Sequence, residues 1–196
     1  MTVRDALLSD AEGILEIYAY YTENTVISWE TEPPSPEEFT GRMQKIMARY
    51  PYLVLEEDGV LLGYAYAGPF VGRAAYDWSC ELTIYLRHDA VKRGLGRLLY
   101  SELERRLKDM GILNLYACIG VPEGEEDEYL TNNSADFHAH LGFTEVGRFR
   151  NCGSKFGRWY TMIWMEKIIG EHTENIEPVR SYKHLKEKGV VRKLHK

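Results

Sequence analysis

A buried strand, a short basic turn and an amphipathic helix follow one another in the middle of this chain. Residues 80–86 are apolar, β-branched and aromatic, as expected of a buried strand. The turn at residues 92–97 comes next, and it contains two glycines and three basic residues. Apolar residues then recur at helical spacing, and Gly111 marks the predicted end of the helix. These apolar residues are Leu98, Leu99, Leu103, Leu107 and Met110.

The turn is suited to a phosphate-rich ligand. Backbone N–H groups at the start of a helix lack partners, and the helix dipole is positive there. Gly94 and Gly96 allow the backbone to approach a ligand without a Cβ atom in the way. Lys92, Arg93 and Arg97 add positive charge. The P-loop pattern is absent, and a leucine replaces the third glycine of the dinucleotide-binding fingerprint.

The remaining xxGxG pattern resembles the pyrophosphate-binding motif of the GNAT acyltransferases, which hold acetyl-CoA. The similarity continues on both sides and is greatest to the phosphinothricin and methionine sulfoximine acetyltransferase group. The segments that look like this group are residues 31–35, 72–86, 137–143 and 153–159. The match runs in order from about residue 3 to about residue 168 and does not include the tail.

The order of secondary-structure signals predicts an α+β fold. One strand, two helices and further strands precede a βαβαβ arrangement, and the resemblance implies the GNAT fold, with a mixed, mostly antiparallel twisted sheet flanked by helices. Capping signals at Ser9, at Ser35 and at Asn133 or Ser134 predict three of the helix starts. The chain of 196 residues is divided into a domain at 1–169 and a basic tail at 170–196. That tail is either disordered or covers a neighbouring subunit, and the sequence leaves both open.

Composition excludes several classes of protein. The formal charge of −6 argues against general nucleic-acid binding. No apolar run approaches the roughly 18 residues of a membrane helix, and the first residues resemble a strand rather than a signal peptide. Three cysteines, an odd number, favour reduced thiols in the cytoplasm. No metal is expected.

Acetyl transfer from a thioester to an amine requires an anchored cofactor, a polarised carbonyl, a deprotonated amine and a protonated leaving thiolate. The turn at residues 92–97 is the predicted anchor. The resemblance implies that the strand at residues 84–86 parts from its neighbour, so that a free backbone N–H faces the carbonyl. The predicted cofactor-binding residues are Ile84, Tyr85, Leu86, Lys92, Arg93, Gly94, Leu95, Gly96, Arg97, Asn132 and Asn133.

Glu81 and His138 are the candidate catalytic residues. Glu81 is expected to deprotonate the amine directly or through water, and its alternative role is a structural salt bridge. His138 lies where the phosphinothricin group has a histidine, and many GNAT enzymes have there a tyrosine that protonates the thiolate. Its alternative role is that of a packed or surface residue. A covalent route through Cys80 or Cys118 is less favoured than buried structural thiols.

The resemblance and the residue types together predict N-acetylation of a small amine. The expected substrate is an amino acid or an analogue such as phosphinothricin or methionine sulfoximine, whose carboxylate two of the predicted residues would hold, namely Arg73 and Lys155. The predicted substrate-binding residues are Trp29, Arg73, Ala74, Ala75, Tyr76, Lys155 and Trp159. The family resemblance also implies a homodimer. Another amine (a polyamine, an antibiotic or a protein N-terminus) and a non-catalytic CoA-binding regulator remain open. The acidic segment at 123–128 would favour a cationic substrate if it lined the cleft.

Overall fold

The computed structural model describes residues 1–90 and 94–189. In this part of the chain seven strands form one sheet and five α-helices surround it. The strands are β1 (Thr2–Asp5), β2 (Tyr52–Glu57), β3 (Val60–Pro69), β4 (Ser79–Leu86), β5 (Asn114–Val121), β6 (Thr144–Lys155) and β7 (Arg158–Ile168). The helices are α1 (Ala11–Asn24), α2 (Pro36–Met47), α3 (Leu95–Met110), α4 (Asn133–His140) and α5 (Tyr182–Glu187).

The sheet is mixed and mostly antiparallel, which confirms the predicted fold class. Its strand order is β1-β2-β3-β4-β5-β7-β6. Only β4 and β5 run parallel among the described strands, because α3 carries the chain back between them. The predicted strand, basic turn and helix therefore form the crossover at the centre of the sheet.

The two faces of the sheet carry separate cores. Side chains alternate along a strand, so Leu53 and Leu55 of β2 pack on the α3 side, whereas Tyr52 and Val54 pack against α1 and α2. On α3, Leu99 is fully buried, but Leu98 is 42% exposed although the sequence placed both in one apolar stripe. Consecutive helical residues point in directions about 100° apart, so both could not face the sheet.

Two of the predicted helix starts differ from the structure. The capping box at Ser9 is wrong, because a short 3₁₀ turn precedes α1 there. The Asp10 carboxylate instead accepts the Leu7 N–H at 2.7 Å and pairs with Arg4 at 2.7 Å. At α4, the residue before the helix is Asn132, and its side chain caps no backbone group of the helix. The start at Ser35 is confirmed, since its hydroxyl accepts the Glu38 N–H at 3.2 Å.

The described part of the tail folds onto its own chain. Tyr182 and Leu185 of α5 are 4% and 1% exposed and belong to the core beside α3. The backbone N–H of Tyr182 donates to the Arg49 carbonyl at 2.8 Å, and that of Arg180 donates to the Met110 carbonyl at 2.9 Å. This placement differs from the alternative of disorder for residues 180–189, whereas contact with a neighbouring subunit stays a prediction. Residues 190–196 lie outside the described part, and the domain boundary at 169 stays a prediction.

Lys155 joins the β6–β7 hairpin to the loop between α1 and α2. Its ammonium donates to the carbonyl oxygens of Thr25 at 2.7 Å and Ser28 at 2.8 Å. The residue is only 5% exposed, and burial lowers the pKa of its amine. Two of its three N–H donors are therefore engaged in holding the loop that carries Trp29. The predicted contact of Lys155 with a substrate carboxylate stays a prediction.

Replacing this lysine is expected to destabilise the fold. Lys155→Met leaves two carbonyl groups without donors, and we expect the free energy of unfolding to fall by about 1–3 kcal/mol in a urea titration. Arg158→Met is the matched control on the same hairpin, because Arg158 pairs with Asp127 and Glu128 at the surface, where water screens the charges. An equal loss of unfolding free energy in both variants would contradict the role of Lys155 in holding the loop.

Candidate active site

The strands β4 and β5 pair for only three residues. The parallel contact runs from Ser79 opposite Asn114 to Glu81 opposite Tyr116. Both strands continue, one to Leu86 and the other to Val121, without further pairing to each other. A gap therefore opens in the sheet directly after Glu81, as the family resemblance implied.

Backbone donors face this gap. The Arg87 N–H donates to the Leu62 carbonyl at 2.9 Å, and the β3–β4 register continues from there without a shift. Main-chain groups of alternate residues point to the same side of such a ladder, so those of Ile84 and Leu86 face away from β3. The Leu86 carbonyl accepts the Tyr21 hydroxyl at 2.6 Å. The Ile84 N–H lies beyond the last paired residue of β5 and faces the gap without a strand partner.

A cavity of about 340 Å³ fills the gap and is lined from both faces of the sheet. Trp29, Glu30 and Glu81 line it on the α1–α2 side, and Tyr100 and His138 line it on the α3–α4 side. The other lining residues are Tyr18, Ile27, Ser28, Leu82, Thr83, Ile84, Tyr85, Ala117, Cys118, Ile119, Gly120 and Ser134. The structure thus brings together both predicted catalytic residues and three further predicted ones, namely Trp29, Ile84 and Tyr85.

The Glu81 carboxylate is well placed to accept a proton. Burial raises its pKa above the usual value for a glutamate. Within residues 1–90 and 94–189, no ion pair or hydrogen bond to its side chain is found, so the alternative role in a salt bridge has no support there. A carboxylate with a raised pKa in a cavity has the properties of a general base.

His138 is held as one neutral tautomer. Its Nδ1 lies 2.7 Å from the Ser134 carbonyl oxygen, which only accepts, so Nδ1 carries the hydrogen. Its Nε2 then accepts the Tyr100 hydroxyl, 3.0 Å away. The imidazole is 3% exposed, and burial lowers its pKa, which keeps the ring neutral. The imidazole therefore has no proton on the nitrogen that faces Tyr100.

The N-terminus of α3 provides the backbone donors expected of a phosphate site. Gly94 adopts a left-handed conformation with φ 73°, and the first intrahelical donor is the Leu98 N–H. The N–H groups of Leu95, Gly96 and Arg97 consequently have no partner within the helix. Arg97 is exposed there. The predicted contributions of Lys92 and Arg93 lie outside the described residues.

Gly96 is required for a reason that the sequence did not reveal. It is buried, and a Cβ atom there would lie 2.9 Å from the Phe137 ring and 3.6 Å from Ile84. The missing side chain allows α4 to pack closely on α3. The predicted contact of the Gly96 backbone with the cofactor stays a prediction. Because His138 follows Phe137 on α4, this close packing also places the imidazole beside Tyr100.

Three other predicted cofactor contacts, Leu86, Asn132 and Asn133, do not line the cavity. The side-chain amide of Asn132 donates to Glu126 at 3.2 Å, and Asn133 is exposed. Leu86 contributes its backbone but does not line the cavity. The roles of these residues toward acetyl-CoA stay predictions.

The acidic segment at 123–128 does not line the cavity. Glu123 pairs with Arg150 at 2.6 Å, and Asp127 and Glu128 pair with Arg158 at 3.0 and 2.9 Å. Three of its five carboxylates therefore pair with arginines of the β6–β7 hairpin. Because the segment does not line the cavity, the condition for a role with a cationic substrate is not met within one chain.

Most predicted substrate-binding residues lie outside this cavity. Arg73, Ala74 and Tyr76 line a separate depression of about 430 Å³, and Ala75 is exposed beside them. The ring of Phe70, which stacks on Tyr116 at 4.2 Å, lies between this depression and the sheet. One further predicted residue of this set, Trp159, is 65% exposed. Within one chain these side chains do not join Glu81, and their substrate contacts stay predictions.

The cysteine thiols are poor nucleophiles in this setting. Cys80 is buried on the α3 side, where burial raises its pKa. Cys118 differs from the prediction of a buried structural thiol, because it lines the cavity. Burial and the charge of Glu81 raise its pKa to about 12. Both thiols are thus protonated at neutral pH, which disfavours a covalent route.

Sequence reasoning missed Tyr100 and Glu30. Tyr100 shares the inward stripe of α3 with Leu99 and Leu103, so a polar-tipped aromatic among core residues was a usable signal. Glu30 lies in a loop without periodicity, and only the folded chain brings it to the cavity.

Two negative findings concern residues 1–90 and 94–189. No group of three or more histidine, cysteine, aspartate or glutamate side chains is arranged to hold a metal ion. None of the helices there combines the length and the apolar character needed to cross a bilayer.

Known proteins resemble this chain over most of its length. The family model described as acetyltransferase (GNAT) domain matches residues 3–164. A phosphinothricin N-acetyltransferase of Streptomyces viridochromogenes is 35% identical over 158 residues, which are 81% of this chain and 82% of that protein. An L-methionine sulfoximine/L-methionine sulfone acetyltransferase of Salmonella typhimurium is 31% identical over 88% of this chain and 96% of that protein.

A solved structure agrees with these sequence matches. The phosphinothricin acetyltransferase of Sinorhizobium meliloti, in complex with acetyl-CoA, superposes with a TM-score of 0.80 and 36% identity. The superposition covers 92% of this chain and 97% of that one. The parted strands, the helix N-terminus and these matches lead to one conclusion: the chain belongs to the GNAT superfamily and is an acetyl-CoA-dependent N-acetyltransferase.

Proposed function

We propose that this enzyme acetylates the primary amine of an amino acid or a close analogue, with Glu81 as the general base. The observation that carries the proposal is the cavity in which Glu81, the Ile84 N–H and the Tyr100–His138 pair meet. The acceptor class is supported by relatives at 31–35% identity that are named for phosphinothricin and for methionine sulfoximine. These compounds are amino-acid analogues, so their shared amine defines the class.

The proposed reaction begins with an acceptor amine that enters as the ammonium form and must lose two protons. One proton passes through the Tyr100 hydroxyl to the Nε2 atom of His138, which is free to accept it. The neutral amine then attacks the thioester carbonyl, whose oxygen develops negative charge toward the Ile84 N–H. Glu81 takes the second amine proton and later releases it to solvent.

The same hydrogen-bonded pair then serves the leaving group. When the C–S bond breaks, the thiolate of CoA takes a proton from Tyr100, and His138 returns its extra proton to the tyrosine. Atoms and charge balance, because the imidazole ends in the neutral state in which it began. Burial lowers the pKa of His138, so its imidazolium gives the proton up readily.

The base assignment predicts a specific pH effect. Burial raises the pKa of Glu81, and a base must be ionised, so kcat/KM should rise with pH through a pKa above that of an ordinary glutamate. We expect Glu81→Gln to lower kcat/KM by about 10²–10⁴-fold and to abolish this rise of kcat/KM with pH. Glu166→Gln on β7, outside the cavity, is the matched control. An unchanged rate for Glu81→Gln at neutral pH would exclude the assignment.

The proton relay predicts coupling between two side chains. Tyr100→Phe and His138→Phe should each lower kcat by roughly tenfold to hundredfold with a nearly unchanged KM for acetyl-CoA, and the double variant should be no slower than the worse single one. Steady-state kinetics of the three variants, with thermal melting to confirm folding, measures this. Additive losses would argue against one relay, and lost acetyl-CoA affinity would make His138 a binding residue.

We also propose that the enzyme is a homodimer formed through the β6–β7 ribbon. β6 is the edge strand of the sheet, and Val146, Phe149 and Trp159 on this ribbon are 52%, 52% and 65% exposed. Long edges with large apolar side chains are typical of surfaces that another chain covers.

Sedimentation equilibrium tests the dimer. We expect the wild type to sediment as a dimer and Trp159→Glu or Phe149→Glu to sediment as a monomer, because a charge would be buried in the interface. Val60→Glu is the control, since Val60 is 48% exposed on the distant β2–β3 hairpin. A monomeric wild type would refute this proposal.

We further propose that the enzyme acts in the cytoplasm. The support is chemical: Cys80, Cys118 and Cys152 are all free thiols in the fold, as suits a reducing compartment.

A further inference from the structure

Glu30 has one paired and one unpaired carboxylate oxygen. Its Oε1 accepts a hydrogen bond from Arg42 of α2 at 2.6 Å. Its Oε2 is buried. Among the buried side-chain oxygen and nitrogen atoms in the part of the chain that the structure describes, it is the only one without a hydrogen-bond partner. Buried polar atoms are nearly always satisfied, so an exception calls for an explanation. Glu30 lines the cavity in which Glu81 lies, and a ligand there can satisfy this oxygen.

The surroundings of Glu30 are aromatic and polar. Tyr18 and Tyr85 also line the cavity, and their rings meet edge to face with centroids 5.3 Å apart. Burial chiefly raises the pKa of Tyr18, Tyr66 and Tyr85, and the charge of Glu30 adds to this effect. Aromatic rings beside a carboxylate are a favourable environment for a cation or a strong hydrogen-bond donor.

The cations nearby do not cancel this preference. Arg42 is shared between Glu30 and Glu38, each at 2.6 Å. Lys155 donates to loop carbonyls and forms no ion pair with Glu30 within 4 Å. Both acidic side chains of the cavity, Glu30 and Glu81, lie on its α1–α2 side, where the acceptor is expected.

We infer that Glu30 determines acceptor specificity by binding a positively charged or hydrogen-bond-donating group at the far end of the acceptor, away from the reacting amine. The inference rests on the proposed function, since it refines the class of amine that the enzyme takes. It assigns to the cavity acceptors that end in a cation or a donor and disfavours those that end in an anion.

Pairs of amino acids with nearly the same shape test this inference. Arginine and citrulline differ in charge at the far end but share their skeleton, and so do glutamine and glutamate. Methionine sulfoximine ends in an N–H donor, whereas phosphinothricin ends in an anionic phosphinate. We expect the first member of each pair to have the higher kcat/KM, by roughly tenfold or more.

Two variants separate the role of Glu30 from that of its arginine partner. Glu30→Gln keeps the shape and removes the charge, and we expect it to reduce each ratio of kcat/KM at least about tenfold while the rate with the neutral acceptors changes little. Glu38→Gln removes the other partner of Arg42 outside the cavity, where Glu38 is 57% exposed, and should leave the ratios unchanged. Equal effects of the two variants would overturn the inference, because the change would then arise from Arg42.

Binding measurements distinguish this inference from the proposed function. Calorimetry with the same amino acids, in the presence of CoA, which has no acetyl group to donate, reports binding without turnover. Turnover of amino acids with no charge preference, or with one that Glu30→Gln preserves, overturns the role of Glu30 and leaves the proposed function intact. Binding that follows charge without turnover of any amino acid overturns the proposed function and supports Glu30. If the amino acids are neither bound nor turned over, both the role of Glu30 and the proposed function are overturned.

Discussion

The short parallel contact between β4 and β5 is the constraint on which the rest of the molecule depends. Three paired residues hold the two strands together at one end, while β3 and β7 hold them apart beyond Glu81. β4 stays paired with β3 up to Leu86, although beyond Glu81 it has no strand partner on its other side. A backbone donor, a cavity and an acidic side chain are consequently placed together by the sheet itself.

The same gap divides the proposed acid–base chemistry between two layers. Glu81 projects toward α1 and α2, where burial favours its neutral form and therefore its ability to take up a proton. His138 lies on the α3 side, where the Ser134 carbonyl fixes its tautomer and the Tyr100 hydroxyl donates to its Nε2. The two groups differ in charge and in distance from solvent, and the sheet keeps them apart. Close helix packing at Gly96 maintains this division, because it fixes α4 against α3.

Local sequence patterns predicted the elements well where one interaction dominates. The α3 helix and its flanking strands follow from hydrophobic periodicity, and the cap at Ser35 follows from its hydroxyl and the proline after it. The capping box at Ser9 failed because the chain forms a 3₁₀ turn over Leu8–Asp10, in which Asp10 accepts the Leu7 N–H and pairs with Arg4 of β1. The prediction that Leu98 faces the core failed because a run of leucines does not reveal which of them faces the sheet. Each failure involves a partner or a direction that short-range sequence does not contain.

By itself, the sequence determined the family, the central strand–turn–helix unit and the two residues proposed for catalysis, because each depends on residue type and spacing along the chain. Only the tertiary structure decided that Gly96 makes room for Phe137, that Lys155 holds a loop and that the tail packs on its own domain. It also decided that Tyr100 lies against His138 and that Glu30 keeps one oxygen unpaired in the cavity. These features join residues far apart in the chain, and their contacts arise only when the two faces of the sheet are packed.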